Sequence, residues 1–479
     1  MSLSSSLFSG ISGLNTLGNA MTVIGDNIAN VNTVGFKASR ATFQDVLSQS
    51  VATSSGSSQV GRGTSLADIT ANYAQGSFES TDSSTDLAIG GTGFFMVRDA
   101  NNEEDTYYTR AGQFGFDEEG NFINPSGYRV QGWALDETTG EDVGTIRDIQ
   151  LNSFTSAPSQ TNALSVIVNL DADGQNHASG SNIALSSMWD GSDANGQYIQ
   201  DADYEYQNTL KVYDSLGSTH DITLYFDLGE SATDPVWEYI VTCNPSEDHR
   251  TITDNTQRGL LARGILEFGG SSGTISGTAT SMTCAHSNGD GTWTDLTNAD
   301  AQASGGYFSF SPAFIGGSAM NINLNFGAQY NGSVWANEGL STTQFSSAST
   351  TVFQSADGYG SGDLQSITVD QNGVLTGQYS NGQVLPLFRV GLAKFQNEQG
   401  LYKAGGNLLK ETRMSGEPIT GRPGYAGLGD LSSNSLEQSN VDLATEFVRM
   451  ITTQRGYQAN SKIITVTDQM LSELMNLKR

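Results

Sequence analysis

The amino-acid sequence predicts a mainly β protein with a long α-helix at each end. Glycine is abundant at 56 residues, proline is scarce at 8, and Ser, Thr, Asn and Asp recur throughout, which favours short strands joined by turns. Apolar residues repeat at three- and four-residue steps near both termini. Because 479 residues are too many for one hydrophobic core, we expect two to four domains.

The charge is distributed unevenly along the chain. The net charge is -29, from 22 basic and 51 acidic residues, and such a surface repels nucleic acid and anionic membranes. The first 62 residues carry three basic and two acidic side chains, and the last 50 carry five and six, so the acidic excess lies in the middle. Neutral ends can pack against copies of themselves, whereas an acidic middle stays hydrated.

The N-terminal segment has the spacing of a coiled-coil seam. Its apolar stripe consists of Leu3, Leu7, Ile11, Leu14, Leu17, Met21, Ile24, Ile28 and Val31. The same segment contains Gly10, Gly13, Gly18 and Gly25, and each glycine destabilises an isolated helix by about 1 kcal/mol relative to alanine. We therefore expect this helix to form only when its stripe is buried against another surface.

The C-terminal segment carries a second apolar stripe. It consists of Val441, Ala444, Val448, Ile451, Ala459, Ile463, Val466, Met470, Leu474 and Leu477, with a four-four step through Arg455. The two stripes can pair with each other and with neighbouring copies, or they can merely close the fold of one monomer. The candidate subunit-assembly residues are Leu7, Ile11, Leu14, Leu17, Met21, Ile24, Ile28, Val441, Val448, Ile451, Ile463, Val466, Met470 and Leu474.

The middle of the chain has the alternation and turn residues of strands. The clearest hairpin pairs residues 210–213 with 222–226 around a turn at Ser215–Ser218. Residues 40–71 and 421–440 are rich in Ser, Gly and Thr and poorly periodic, so we expect connecting arms there.

No motif in the sequence predicts an enzyme. Gly90–Gly93 leads into a strand rather than a helix, so it favours a turn over a phosphate loop. Asp171–Gly174 and Asp370–Gly373 lack the acidic residue that completes a calcium loop, and Asx turns account for both. The four histidines are scattered, without metal-ligand spacing. We expect no catalytic residue, cofactor or metal.

Two further features concern export and redox chemistry. No basic residue precedes Lys37, and Ser, Gly and Asn interrupt the N-terminal apolar residues, so we expect neither a Sec-type signal nor membrane insertion. Cys243 and Cys284 are compatible with free thiols or with one internal bridge.

Residues 25–37 carry the clearest motif in the chain. Asn27, Ala29, Asn30, Asn32, Thr33, Gly35, Phe36 and Lys37 match the signature of the flagellar rod and hook axial proteins, which this chain resembles. Physically the motif is the end of a helix, where Asn side chains satisfy backbone groups and Gly35 permits a reversal. The similarity continues through Tyr108–Gly112, Val212–Gly217, Leu436–Asp442 and Gln454–Lys462.

Within this family the sequence resembles hook proteins more than rod proteins. The distal rod protein shares both ends, but the hairpin at Val212–Gly217 and the long insertion around it are typical of hook proteins. A distal rod-type axial protein is the alternative, followed by a secreted β-rich adhesin, which has no need of paired terminal helices.

The resemblance implies nested, discontinuous domains. Residues 1–35 and 435–479 form an inner helical core domain, and residues 36–71 and 426–434 form connecting arms. Residues 72–150 and 356–425 form an inner β domain, and residues 151–355 form one outer β domain or two outer subdomains.

The resemblance also implies partners and a place of work. Such a chain leaves the cell through the flagellar type III export apparatus and polymerises into a flexible helical tube. The tube transmits torque from rod to filament, and its expected partners are copies of itself, the rod, the hook cap and the hook–filament junction proteins.

Overall fold

A long α-helix lies at each end of the chain, as the apolar repeats predict. The structure is a computed structural model that describes residues 3–53, 56–100, 102–136, 139–177, 184–229, 235–269, 277–315 and 319–476. The helices are α1 (Leu3–Ala29), α2 (Leu185–Met188), α3 (Asn298–Ala303) and α4 (Leu443–Asn476). Most of the remaining described residues form short strands and turns, so the mainly β class with terminal helices is confirmed.

The chain folds into two units. The first unit consists of Met1–Phe154 and Leu364–Arg479, and the second of Thr155–Asp363. The first segment contains β1 (Ser39–Asp45), β2 (Gln49–Thr53), β3 (Gly56–Val60), β4 (Thr64–Ala71), β5 (Phe78–Ser80), β6 (Leu87–Gly90), β7 (Phe94–Asp99), β8 (Asn102–Thr109), β9 (Gly115–Phe116), β10 (Phe122–Ile123), β11 (Tyr128–Leu135) and β12 (Asp142–Asp148). The finer division of the first unit into core, arms and β domain stays a prediction.

The strands of the second unit follow in chain order. They are β13 (Thr155–Ser156), β14 (Ala163–Asp171), β15 (Tyr206–Tyr213), β16 (Thr219–Leu228), β17 (Val236–Cys243), β18 (Leu260–Glu267), β19 (Ser281–Ser287), β20 (Trp293–Leu296), β21 (Phe308–Phe310), β22 (Ile322–Asn325), β23 (Ala328–Tyr330), β24 (Trp335–Asn337), β25 (Thr343–Phe345) and β26 (Thr350–Ala356).

The chain then returns to the first unit. Its strands are β27 (Gly362–Val369), β28 (Val374–Tyr379), β29 (Val384–Val390), β30 (Leu392–Lys394), β31 (Tyr402–Gly405), β32 (Leu408–Lys410), β33 (Ile419–Gly421), β34 (Asp430–Ser433) and β35 (Ser435–Glu437).

The first unit is built on an antiparallel sheet that mixes strands from both of its chain segments. Its central order is β28-β29-β11-β7-β8-β32-β31. Phe95, Val97, Phe122 and Val390 are fully buried in its core. Strands β34 and β35 pair with β6 and β5, so the segment leading into α4 is held against the segment that follows the N-terminal arm.

The second unit contains a six-stranded antiparallel meander, β15 to β20, and a smaller sheet centred on β14. Val166 of the smaller sheet and Leu224, Phe226 and Trp237 of the meander belong to one buried cluster. The two sheets therefore share one hydrophobic core. Burial of large aromatic side chains is the main source of stability in such a core.

The predicted hairpin is present, and one arm has structure that the sequence did not indicate. Strands β15 and β16 pair around a turn in which the Asp214 side chain accepts hydrogen bonds from the backbone N–H groups of Leu216 and Ser218. The N-terminal arm forms a hairpin, with β1 paired to β4 and β2 to β3. These strands are rich in Ser and Thr and lack apolar alternation, so backbone pairing rather than a buried face defines them.

Candidate assembly interface

Small residues bring α1 and α4 close together. A Cβ atom on Gly13 would lie 2.9 Å from the Asn460 side chain, and one on Gly10 would lie 3.2 Å from Ile464. On α4, a Cβ atom on Gly456 would lie 3.2 Å from Leu17. These glycines weaken an isolated helix, but here they permit close helix packing.

The predicted N-terminal stripe is only partly covered in the monomer. Ile24 is buried, whereas Ile11 is about half exposed. The other candidate assembly residues of α1 are partly buried, namely Leu7, Leu14, Leu17, Met21 and Ile28. The arm hairpin covers another side of α1, where Ser12 Oγ accepts a hydrogen bond from Thr64 N at 3.2 Å.

The predicted C-terminal stripe faces away from α1. We call it the outer stripe, and it consists of Val448, Ile451, Ile463, Val466 and Met470, all of them exposed. Val448 is 62% exposed, Ile451 49% and Met470 51%. Val441 is partly buried, and the side chain of Leu474 lies outside the described residues.

The two apolar stripes therefore do not pair with each other. The side of α4 that is buried within the monomer is a different one, and it carries polar and small residues, including Glu446 and Thr467, together with Ile464, which lies against Gly10. The sequence allows two partners for the C-terminal stripe, α1 of the same chain or a neighbouring copy. In the monomer, α1 packs against a different face of α4. The C-terminal stripe is therefore exposed in the monomer.

The family motif ends α1 and ties it to the arm. Asn30 Nδ2 donates to the Asp26 carbonyl at 2.9 Å, which satisfies a helix-terminal acceptor as the sequence predicts. Asn27 is buried, and its side-chain amide both donates to the Ser39 carbonyl and accepts from the Ser39 N–H, each at 2.8 Å. Thr33 Oγ1 donates to Asn30 Oδ1 at 3.1 Å.

The chain reversal after the helix requires glycine. Gly35 has a φ of 70°, and a Cβ atom there would lie 2.6 Å from the backbone nitrogen of Ala111. Phe36 is buried, and the Lys403 ammonium lies 5.5 Å from the centre of its ring. Two residues of the motif have exposed side chains, Ala29 and Asn32.

A buried ion cluster joins the two ends of the first unit. Glu437 has no exposed surface, and its Oε1 accepts from Lys37 Nζ at 2.6 Å and from the backbone N–H of Gly76 at 2.8 Å. Its Oε2 accepts from Arg110 Nη1 at 3.3 Å, while Arg110 Nη2 donates to the Gly91 carbonyl at 2.8 Å. The cluster fixes where the N-terminal segment meets the strand that leads into α4.

Burial dominates the electrostatics of this cluster. It lowers the pKa of Lys37, and the hydrogen bond and charge of Glu437 oppose that decrease. It also lowers the pKa of Arg110, again against the charge of Glu437. Removal of the carboxylate would leave two buried cations without their counter-ion.

Comparisons with known proteins agree with this architecture. Residues 188–359 match the Flagellar basal body protein FlaE D2 domain, and residues 88–175 the Flagellar hook protein FlgE/F/G D1 domain. Residues 7–37 match the Flagella basal body rod protein family, and residues 432–477 the Flagellar basal body rod FlgEFG protein C-terminal family. The Flagellar hook protein FlgE of Borreliella burgdorferi is 35% identical, covering 99% of each chain. The chain belongs to the flagellar hook protein family.

Further relatives lie in the same family. The Flagellar hook protein FlgE of Treponema pallidum is 33% identical, covering 99% of each chain. A solved structure of the Helicobacter pylori flagellar hook protein FlgE2 is 16% identical, covers 75% of this chain and 100% of that chain, and has a TM-score of 0.46. Family membership makes this chain a structural component of the flagellum, located at the hook, and not an enzyme.

The acidic loops of this hook-family chain form turns. Asp171 Oδ1 accepts from the backbone N–H of Asp173, and Asp370 Oδ1 from that of Val374, as in side-chain-stabilised turns. Among the described residues, no group of His, Cys, Asp and Glu is arranged to hold a metal ion. Within the same part of the chain, no helix has the length and apolar character needed to cross a membrane.

Both cysteines are free thiols buried in the second unit. Burial raises the pKa of Cys243 and raises that of Cys284 to about 12, so neither is an activated nucleophile. Of the two alternatives that the sequence left open, the structure therefore has free thiols rather than an internal bridge.

Sequence reasoning missed the roles of Glu437 and Arg110. Glu437 meets Lys37 across 400 residues of chain and Arg110 across 327, although all three lie in segments that resemble the family. Spacing within one sequence does not reveal such long-range pairs. The small-residue contact was also missed, although the helix-weakening glycines Gly10 and Gly13 were a signal that two helices approach closely.

Proposed function

We propose that this chain is the repeating subunit of the flagellar hook and that it polymerises through its terminal helices. The outer stripe carries this proposal, because it is a long apolar surface that the monomer leaves in water. Burial of one such side chain contributes roughly 1.5–3 kcal/mol. Several of them against a neighbouring copy are enough to drive association.

The assembly is helical and heterologous. The outer stripe and the partly covered stripe of α1 are different surfaces of the same chain, and in this assembly each subunit meets the neighbours on its two sides through different surfaces. Such head-to-tail contacts generate open filaments rather than closed dimers. The near-neutral ends favour dense packing there, whereas the acidic middle favours hydrated contacts that can slide as the tube bends.

The proposed partners follow from family membership and from the position of the hook between the rod and the filament. The polymer joins the rod to the filament and transmits torque as a flexible tube. Each chain would leave the cell by type III export and join the growing polymer under the hook cap. The finished polymer would contact the rod at one end and the junction proteins at the other. Family matches to rod proteins at both termini support contact with the rod, because related ends can continue one helical lattice.

Charge substitutions on the outer stripe test this function. We expect Ile451→Glu and Val466→Glu each to raise the critical concentration for polymerisation at least about ten-fold, because a buried carboxylate replaces apolar contact. Both side chains are exposed in the monomer, so thermal unfolding of the monomer should be unchanged. Pelleting assays and electron micrographs across a concentration series would measure the effect.

The matched control is Gln454→Glu, which adds the same charge on α4 outside the outer stripe, since Gln454 lies about 60° around the helix from Ile451 and further from the other stripe residues. Gln454 is also exposed, and we expect this variant to polymerise like the unmodified chain. Polymerisation of the Ile451 and Val466 variants at the wild-type concentration would contradict the proposal.

A further inference from the structure

A buried carboxylate oxygen near the start of α4 lacks a partner. Glu446 is 4% exposed, and its Oε1 accepts a 2.6 Å ion pair from Arg449 Nη1. Its Oε2 is buried with no hydrogen-bond partner among the described residues. A buried anionic oxygen without a donor is costly, since it loses hydration without a replacement.

This carboxylate lines a pocket between α1, β1 and α4. The pocket has a volume of about 200 Å³, and its wall combines apolar and charged side chains, including Val23, Ile24, Phe43, Arg40, Glu446 and Arg449. The apolar part of this wall can hold the stem of a long side chain, and Glu446 Oε2 can accept a hydrogen bond from the end of that side chain.

An unpaired cation lies on the other side of the same helix. Arg455 is exposed, occupies the interruption in the outer stripe between Ile451 and Ala459, and forms no ion pair within the described part of the chain. No acidic residue lies within one turn of it. When the outer stripe becomes buried in an assembly, this guanidinium requires a carboxylate.

Arg455 and Glu446 of one chain do not pair with each other. They are nine residues apart on a continuous helix, which separates them by about 13 Å along the axis and places them on opposite sides. The helix thus carries a cation without an ion pair on its outer side and, on its inner side, a carboxylate oxygen, Glu446 Oε2, without a hydrogen-bond donor, and a second copy can bring the two together.

We propose that Arg455 of one subunit inserts into the pocket beside Glu446 of the next subunit and forms an ion pair with Glu446 Oε2. This contact rests on the proposed polymerisation and specifies the register of neighbouring subunits. The guanidinium would satisfy Oε2, and its stem would cover the apolar wall of the pocket. A charge pair of this kind contributes more to orientation and specificity than a further apolar contact does.

Neutral variants test the pair without disturbing the fold. We expect Arg455→Gln and Glu446→Gln each to raise the critical concentration of the full-length chain roughly ten-fold or more, because the first leaves Glu446 Oε2 without its donor and the second leaves Arg455 without a carboxylate in the interface. The double variant should be no worse than either single variant, because it removes both charges. Additive effects in this cycle would overturn the proposal.

Charge reversal gives the decisive measurement. Glu446→Arg and Arg455→Glu should each fail to polymerise alone, since every contact pairs like charges. An equimolar mixture should polymerise, since alternating subunits pair opposite charges at every contact. If the mixture stays monomeric while both variants unfold like the unmodified monomer, the proposal is wrong. If Glu446→Arg does not fold, the comparison of Arg455→Gln, Glu446→Gln and their double variant decides instead.

Two controls test whether the effect belongs to this ion pair. Arg413→Gln removes the same charge from an exposed position outside the terminal helices and should polymerise normally. Arg40 also lines the pocket, so Arg40→Gln tests whether the chain satisfies its own carboxylate. An Arg40→Gln effect equal to that of Glu446→Gln, with normal assembly of Arg455→Gln, would overturn the inference while leaving the proposed polymerisation intact.

Discussion

The terminal helices and the second unit bury their apolar residues in opposite ways. In the second unit, Phe226 and Trp237 are fully buried in a core shared by two sheets. In α4, Val448 and Ile451 are at least about half exposed, and the face buried against α1 mixes polar and small residues with Ile464. The second unit therefore covers its own apolar core, whereas the terminal helices leave an apolar stripe exposed, which we propose is covered by other copies.

The largest expected effect comes from removing one region or the other. Deletion of residues 441–479 should abolish polymerisation, because it removes the outer stripe and Arg455. Excision of Thr155–Asp363 should still permit tubes, with altered curvature or stiffness. Electron micrographs of the two variants at matched concentration would measure this difference.

The structure makes the excision simple to design. The Leu364 N–H donates to the Phe154 carbonyl at 2.8 Å, so the two ends of the first unit are already adjacent and a short Gly/Ser turn can join them. Filaments from the 441–479 deletion, or none from a folded excision variant, would show that the second unit holds the polymer together.

The second-largest expected effect concerns the buried ion cluster of Glu437, Lys37 and Arg110. Glu437→Gln should lower the free energy of unfolding of the first unit by about 3–5 kcal/mol, because Lys37 and Arg110 stay buried without their counter-ion. Denaturant titration followed by circular dichroism would measure this change.

The matched control is Asp105→Asn in the same unit. Asp105 pairs with Lys410 at 2.5 Å, but both side chains are about one-third exposed or more, so this carboxyl-to-amide change should cost less than about 1 kcal/mol. Equal costs for the two variants would mean that the cluster is no more than a surface ion pair and does not fix the helices to the first unit.

The sequence predicted the regular parts of both regions and missed the contacts that join them. The periodic apolar residues from Leu7 to Ile28 and the Asp214 turn carry local signals, so α1 and the β15–β16 hairpin were foreseen. The arm hairpin was not foreseen, because its strands are polar. The sequence did not determine whether the outer stripe faces α1 or points away from it, because periodicity shows which face of a helix is apolar but not what that face contacts.

For the candidate assembly interface, the sequence predicted which residues belong to it but not how they are arranged in the structure. Assembly through the C-terminal stripe stays a prediction, and the structure adds that this stripe is the surface left uncovered. Glu446 was not singled out, because burial of its carboxylate arises from the close approach of α1, β1 and α4 rather than from any pattern in the sequence.

The smallest expected effect lies inside the second unit and is independent of assembly. Glu238 is buried on β17, opposite Asp227 on β16, and its Oε2 accepts from the Leu185 N–H at 3.0 Å. Burial raises the pKa of Glu238 to about 7, with the charge of Asp227 adding to the increase and the Leu185 hydrogen bond and the charge of Arg263 opposing it. Between its unfolded pKa of about 4.5 and about 7, the folded state binds the extra proton, so stability should fall as pH rises through this window.

The expected loss is about 3 kcal/mol between pH 4.5 and pH 7, and little further loss should occur above that range. Glu238→Gln should flatten this profile because the side chain no longer titrates, and unfolding followed by the fluorescence of the adjacent Trp237 would measure it. Glu267→Gln makes the same change at an exposed position on the neighbouring strand and should leave the profile unchanged. Since the second unit has a closed core of its own, the monomer and the polymer should give the same profile. A dependence that appears only in the polymer would show that the second unit also relies on its neighbours and would remove the contrast with the terminal helices.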